Sequence, residues 1–112
     1  MPAVPKGKKP KRNKPRRLEH KGHLERLRGL PCALCGKPPP SVAHHLIGNY
    51  GPTGPVRGWG LKAGDNFTIP LCENCHNGLH DNGDEKKYFR LFRFDGFTFA
   101  KALWSETIVV RD

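Results

Sequence analysis

Residues 65–80 read DNFTIPLCENCHNGLH, and the fold is decided there. Residues 68–71 form a short apolar run with β-branched members, which predicts a strand. Cys72 and Cys75 follow as a C-x-x-C turn, and residues 72–81 suit a turn that leads into a helix. His76 and His80 stand four apart on that helix, a spacing that puts both on one face. Upstream, residues 31–38 (PCALCGKP) hold a matching turn, Cys32-x-x-Cys35, with Gly36 just past it. Residues 42–46 (VAHHL) predict a first strand that bears His44 and His45.

The cysteines point to a metal. Zinc takes four tetrahedral sulfur or nitrogen ligands, and each C-x-x-C turn directs two thiolates at one ion. Cys32, Cys35, Cys72 and Cys75 would close such a site with no open position, so its role is structural. A redox pair or free thiols would explain one such turn. Two matched turns in 112 residues favour zinc. With the cysteines saturating one ion, His44, His45, His76 and His80 are surplus, and a second metal site with open positions accounts for them better.

A chain of 112 residues with 36% hydrophobic residues, 13 Gly and 11 Pro has room for one small core and benefits from a metal staple. The net charge is +10, and it is concentrated: residues 1–30 hold 11 Lys or Arg against 2 Glu. Residues 1–17 (MPAVPKGKKPKRNKPRR) alternate proline with Lys8, Lys9, Lys11, Arg12, Lys14, Arg16 and Arg17, which predicts a disordered basic arm that attracts polyanions. Leu24, Leu27 and Leu30 recur at helical spacing, with Arg26 and Arg28 on the other side and Gly29 and Pro31 as the stop. Residues 48–64 hold six glycines and predict a long irregular loop. In it Arg57 and Lys62 are candidate phosphate contacts, and Trp59 either stacks on a base or packs. Residues 84–92 and 98–106 read as short helices whose aromatic side chains (Tyr88, Phe89, Phe92, Phe97, Phe99, Trp104) supply the apolar packing. His20 and His23 have no partner at metal spacing and are assigned no role. No run is long and apolar enough for a membrane span or signal peptide, so the expected location is the cytoplasm and no membrane contact is expected.

The order A-H-H-L, then D-N-F-T-I-P-L-C-E-N-C-H-N-G-L-H, resembles the HNH endonucleases of the ββα-metal fold. The stretch from Cys32 to His80, with L-K-A-G-D before the second strand, is similar to the phage recombination-enhancement (Ref-like) nucleases. The resemblance covers about the central half of the chain. It implies a small α+β fold: a ββα-metal, treble-clef-like core over 32–81 with a four-cysteine zinc knuckle, inside a nuclease domain spanning 18–112, with C-terminal helices over 84–107. By residue, it implies His45 as general base, His44, His76 and His80 as ligands of a catalytic divalent ion, and Asn66 as the residue that orients the base. Many family members place that asparagine five residues before the cysteine; here it stands six before Cys72, so Asp65 or Asn66 has a different job or a bulge absorbs the offset. The ion is Mg²⁺, Mn²⁺ or Zn²⁺, and the products are a 5′-phosphate and a 3′-hydroxyl. The implied partner is DNA, in single-stranded, duplex or branched form, with recombination and a RecA filament on that DNA as the setting and a bacterial host cell as the location if the chain is phage-encoded. A histidine base predicts activity that falls below about pH 6 to 6.5. Neighbouring strand residues point to opposite faces, so His44 and His45 share a site only if the strand bends, and their roles are interchangeable at this level.

Two other readings compete. A non-catalytic zinc-stabilised module that binds nucleic acid explains the cysteines and the arm but leaves four histidines idle. An inactive nuclease scaffold kept as an interaction protein is disfavoured, because candidates for base and ligands are all present. Metal-dependent cleavage separates the first reading from both.

Overall fold

The computed structural model describes residues 17–55 and 63–110. Among these the chain runs α1 (Lys21–Arg28), β1 (Val42–His45), β2 (Thr68–Leu71), α2 (Glu73–Asn82), α3 (Glu85–Leu91) and α4 (Gly96–Val110). It is a small α+β arrangement with one two-stranded antiparallel sheet. The pairing is Val42↔Leu71, Ala43↔Pro70, His44↔Ile69 and His45↔Thr68. Pro70 lacks an N–H, which a two-stranded ribbon tolerates because one side of each strand is an edge. Its carbonyl accepts from Ala33 N at 2.8 Å, tying the first cysteine turn to the sheet.

Each helix start follows from a side chain beside it. Cys72 caps α2, its sulfur accepting from Cys75 N, and Gly83 closes that helix in the left-handed region at φ 82°. Asp84 caps α3 by accepting from Lys87 N. Asp95 does the same for α4, accepting from Thr98 N at 3.1 Å and from Thr98 Oγ1 at 2.8 Å. This cap explains why α4 begins earlier than hydrophobic periodicity alone predicts.

The core is aliphatic with cysteines at one edge: Leu46, Ile69, Leu71, Leu79, Phe89 and Ala100 pack with Cys32, Cys72 and Cys75. Tyr88 and Phe97 of the expected aromatic set, with Tyr50, Phe67 and Phe94, pack partly buried against this cluster. Of the six aromatics expected to pack, Phe89 is buried in the cluster itself, whereas Phe92 and Phe99 are exposed large hydrophobics. Gly96 allows α4 to approach Phe89: a Cβ at that position would stand 2.5 Å from Phe89 Cε2 and 2.9 Å from Cδ2. The ring is buried and must shift to admit the methyl group, so Gly96→Ala is expected to destabilise the protein by about 1–3 kcal/mol. Phe89→Leu in the same chain should recover part of that loss, as read by chemical denaturation of the two single variants and the double.

α1 and α4 are clasped by groups the sequence left without a role. His23 is fully buried, with Nδ1 2.6 Å from Thr107 Oγ1 and its ring edge-on to Trp104. Arg26, expected on a solvated face, donates to Leu103 O at 3.0 Å and to Thr107 Oγ1 at 2.7 Å. Burial, followed by the charge of Arg26, lowers the pKa of His23 to about 4. The folded state therefore keeps His23 neutral while the unfolded chain takes a proton below about 6.5. Stability contributed by this residue is complete above pH 6.5 and is lost as the pH falls toward 4. Between pH 7 and pH 4.5, Tm of the native protein should drop more than that of His23→Gln, by an excess worth about 1–2 kcal/mol. Equal drops would show that His23 is not the responsible group.

No helix among the described residues is long and apolar enough to cross a membrane.

Candidate metal centre

The four cysteines converge. One sulfur from each of Cys32, Cys35, Cys72 and Cys75 lies within 4.8 Å of the others, and Cys35 Sγ is 3.7 Å from Cys72 Sγ. A tetrahedron of Zn–S bonds near ~2.3 Å has edges of ~3.8 Å, so the donor set and its size fit a structural zinc ion. Backbone amides point at the sulfurs: Leu34 N and Cys35 N at Cys32 Sγ (3.4 and 3.5 Å), and Cys75 N at Cys72 Sγ (3.4 Å). Burial opposes ionisation of Cys32, yet these and neighbouring donors outweigh it and bring the thiol down to about 6.

A second group forms where β1 faces α2. His44, His76 and His80 each offer a ring nitrogen within 4.8 Å of the others. His76 Nε2 and His80 Nε2 are 3.1 Å apart. Two metal–nitrogen bonds of ~2.0–2.1 Å give a separation of ~2.9 Å at a right angle and ~3.4 Å at the tetrahedral angle, so the pair is spaced to share one ion. The helix supplies this spacing through its i, i+4 geometry, and the strand register supplies His44. Burial, then the charges of His44 and His80, lowers the pKa of His76, which keeps its lone pair available. Three imidazoles leave coordination positions open, unlike the cysteine site.

The register of β1 is unbroken through His45, so the adjacent histidines diverge. His44 is buried and joins α2; its Nε2 is 2.7 Å from Glu85 Oε1. His45 is partly exposed and its Nε2 is 2.8 Å from Asp65 Oδ1. A carboxylate only accepts, so in each pair Nε2 carries a proton, and whenever the ring is neutral the lone pair is on Nδ1. Asp65 is buried and also accepts from His20 N at 2.7 Å and Arg17 Nη1 at 3.1 Å. Burial would raise its pKa, but hydrogen bonds from His45 and His20 N, with the charges of His45 and Arg17, bring it below the usual carboxylate range.

Two assignments change accordingly. The side chain bonded to the ring of His45 belongs to Asp65 rather than Asn66, whose Oδ1 lies beside Gly64. Arg17, grouped with the DNA-binding arm, has its guanidinium taken up by Asp65 and Glu19. Lys8, Lys9, Lys11, Arg12, Lys14, Arg16, Arg57, Trp59 and Lys62 lie outside the described residues. Glu85 was missed altogether: at the start of α3 an acidic residue reads as a helix-favouring surface charge, and only the tertiary fold brings it to His44.

Residues 7–92 match a family described as "Protein of unknown function (DUF968)". Over 73 residues, 65% of the chain, it is 41% identical to the "Uncharacterized protein YdfU" of Escherichia coli (strain K12), and the match spans 18% of that protein. No solved structure matches. The family match takes in both cysteine turns, both strands, α2 and α3, and the chain belongs to the DUF968 family.

Proposed function

We propose that this chain is a metal-dependent DNA endonuclease domain of the ββα-metal (HNH) kind. The observation that carries the reading is the convergence of His44, His76 and His80 on an open three-nitrogen site, separate from the saturated four-cysteine site. The strand pair, the following helix and the adjacent His45 supply the remaining parts such a site needs.

A phosphodiester resists hydrolysis because it is anionic and its leaving alkoxide is poor. His44, His76 and His80 would hold a divalent ion, and that ion would supply Lewis-acid stabilisation of the charge that develops during phosphodiester hydrolysis. His45 does the proton transfer. Its Nε2–H is committed to Asp65, so Nδ1 is the nitrogen that takes the proton from an attacking water. The Asp65 carboxylate fixes that tautomer and stabilises the imidazolium formed. β1 ends at His45, and the two histidines leave the strand on opposite faces, so this mechanism requires the scissile phosphate to lie across the end of β1 between them. Arg17 shares Oδ1 of Asp65 with His45 while His20 N takes Oδ2, so both carboxylate oxygens are fixed. The three imidazoles tolerate several first-row divalent ions, and Mg²⁺, Mn²⁺ and Zn²⁺ all enter the test.

The test is cleavage of supercoiled and single-stranded DNA by purified protein, with and without each ion. Cleavage that depends on metal is expected. DNA bound but intact under every condition would overturn the reading in favour of a zinc-stabilised binding module.

A further inference from the structure

Glu85 is the most enclosed carboxylate among the described residues: its side chain is 1% exposed. A buried charge of this kind costs several kcal/mol unless its oxygens are fully bonded. Here they are. Oε1 is 2.7 Å from His44 Nε2. Ile47 N reaches Oε1 and Oε2 at 3.1 and 3.0 Å, Gly48 N reaches Oε2 at 2.8 Å, and the Tyr50 hydroxyl reaches Oε2 at 2.6 Å. The backbone is cut to fit: a Cβ on Gly48 would stand 3.1 Å from Glu85 Oε2 and 3.0 Å from the Tyr50 ring. A helix-start glutamate needs none of this to cap a helix, since Asp84 already caps α3.

We propose that Glu85 is the positioning residue of the histidine metal centre: it holds His44 as the Nε2–H tautomer, turns Nδ1 toward His76 and His80, and with its second oxygen pins the 47–50 segment beside that centre. This rests on the metal-centre reading above. The physical reason is that a ligating imidazole has two nitrogens, and whichever one donates to an outer acceptor leaves the other for the metal. His76 and His80 sit on one helix and are aligned by its geometry. His44 comes from a strand, and Glu85 is the group that sets its ring. The same carboxylate connects β1, the 47–50 turn and α3, so displacing it disturbs both the ligand and the loop entrance.

The experiment uses the full chain with its cysteine site loaded with zinc and its histidines labelled with ¹⁵N. Long-range ¹H–¹⁵N spectra report the tautomer of each ring before and after one further equivalent of Zn²⁺, and calorimetry gives the affinity of that second ion. His44 is expected as Nε2–H at the start and as an Nδ1 ligand after the addition. Glu85→Ala should weaken the second ion by 10- to 100-fold and let the Nδ1–H form of His44 appear. Glu85→Gln, whose amide oxygen still accepts, should recover most of the affinity. Amide exchange at Ile47 and Gly48 should quicken in Glu85→Ala. His44 found as Nδ1–H in the native protein, or bound through Nε2, overturns the proposal even if Glu85→Ala fails to fold. So does an unchanged affinity in a folded Glu85→Ala. A native protein that takes no second ion overturns both this and the metal-centre reading. Second-ion binding as expected without DNA cleavage overturns only the nuclease.

Discussion

Removing zinc from the four-cysteine site is expected to unfold this protein rather than loosen it. Structural zinc sites of this type contribute about 10–16 kcal/mol of binding free energy near neutral pH, comparable to or larger than the 5–15 kcal/mol that holds a typical domain together. The four cysteines join the first turn, the end of β2 and the start of α2, and Cys32, Cys72 and Cys75 are themselves part of the core. Without the ion, the bonds that tie the first cysteine turn to the end of β2 and the start of α2 are gone, and burial with the neighbouring sulfurs pushes the Cys75 thiol up and keeps it protonated. A strong chelator, or Cys72→Ser, should abolish the cooperative thermal transition and collapse the dispersion of amide resonances. Retention of a sharp transition after verified zinc loss would show that apolar packing alone suffices.

The second large effect is catalytic. His45→Ala should lower metal-dependent cleavage by about 10²- to 10⁴-fold, the usual contribution of a general base, while leaving zinc content and the affinity of the histidine site nearly unchanged; Tm should fall modestly, because the buried Asp65 loses the hydrogen bond from His45. The separation is expected because His45 leaves the strand on the opposite face from His44 and lies outside the core cluster. A parallel loss of metal affinity would instead make His45 a ligand and exchange its role with His44. Cleavage within a few-fold of the native protein would remove it from the mechanism.

Much of this was legible in the sequence for identifiable reasons. The C-x-x-C turns, the i, i+4 histidines and the alternating strand residues are local patterns, and local patterns fix local geometry. The strands expected over 42–46 and 68–71 and the turn and helix over 72–81 fall within one residue of β1, β2 and α2. What was not legible depends on contacts far apart in the chain. Glu85 reaches His44 across 41 positions and Arg17 reaches Asp65 across 48; neither spacing carries a signal. Asp65 and Asn66 are neighbours of similar shape, and only the position of the loop shows which one meets His45. His23 looked idle because its partner, Thr107, lies 84 residues away. The two-stranded α+β frame and the clustered cysteines stand on the coordinates.

Cys72 at its cap and Cys75, His76 and His80 along its length make α2 the common carrier of both candidate ion sites. The helix works as a gauge. Each residue advances ~1.5 Å and turns ~100°, so the phase between Cys75 and His80 is set by count alone. One residue inserted or deleted in that interval would swing His80 away from His44 while every ligand remained present in the sequence. For this chain, what must be inherited is a distance along a screw axis as much as a set of side chains, and a homologue that keeps every histidine but shifts that count should be read as having lost the second ion.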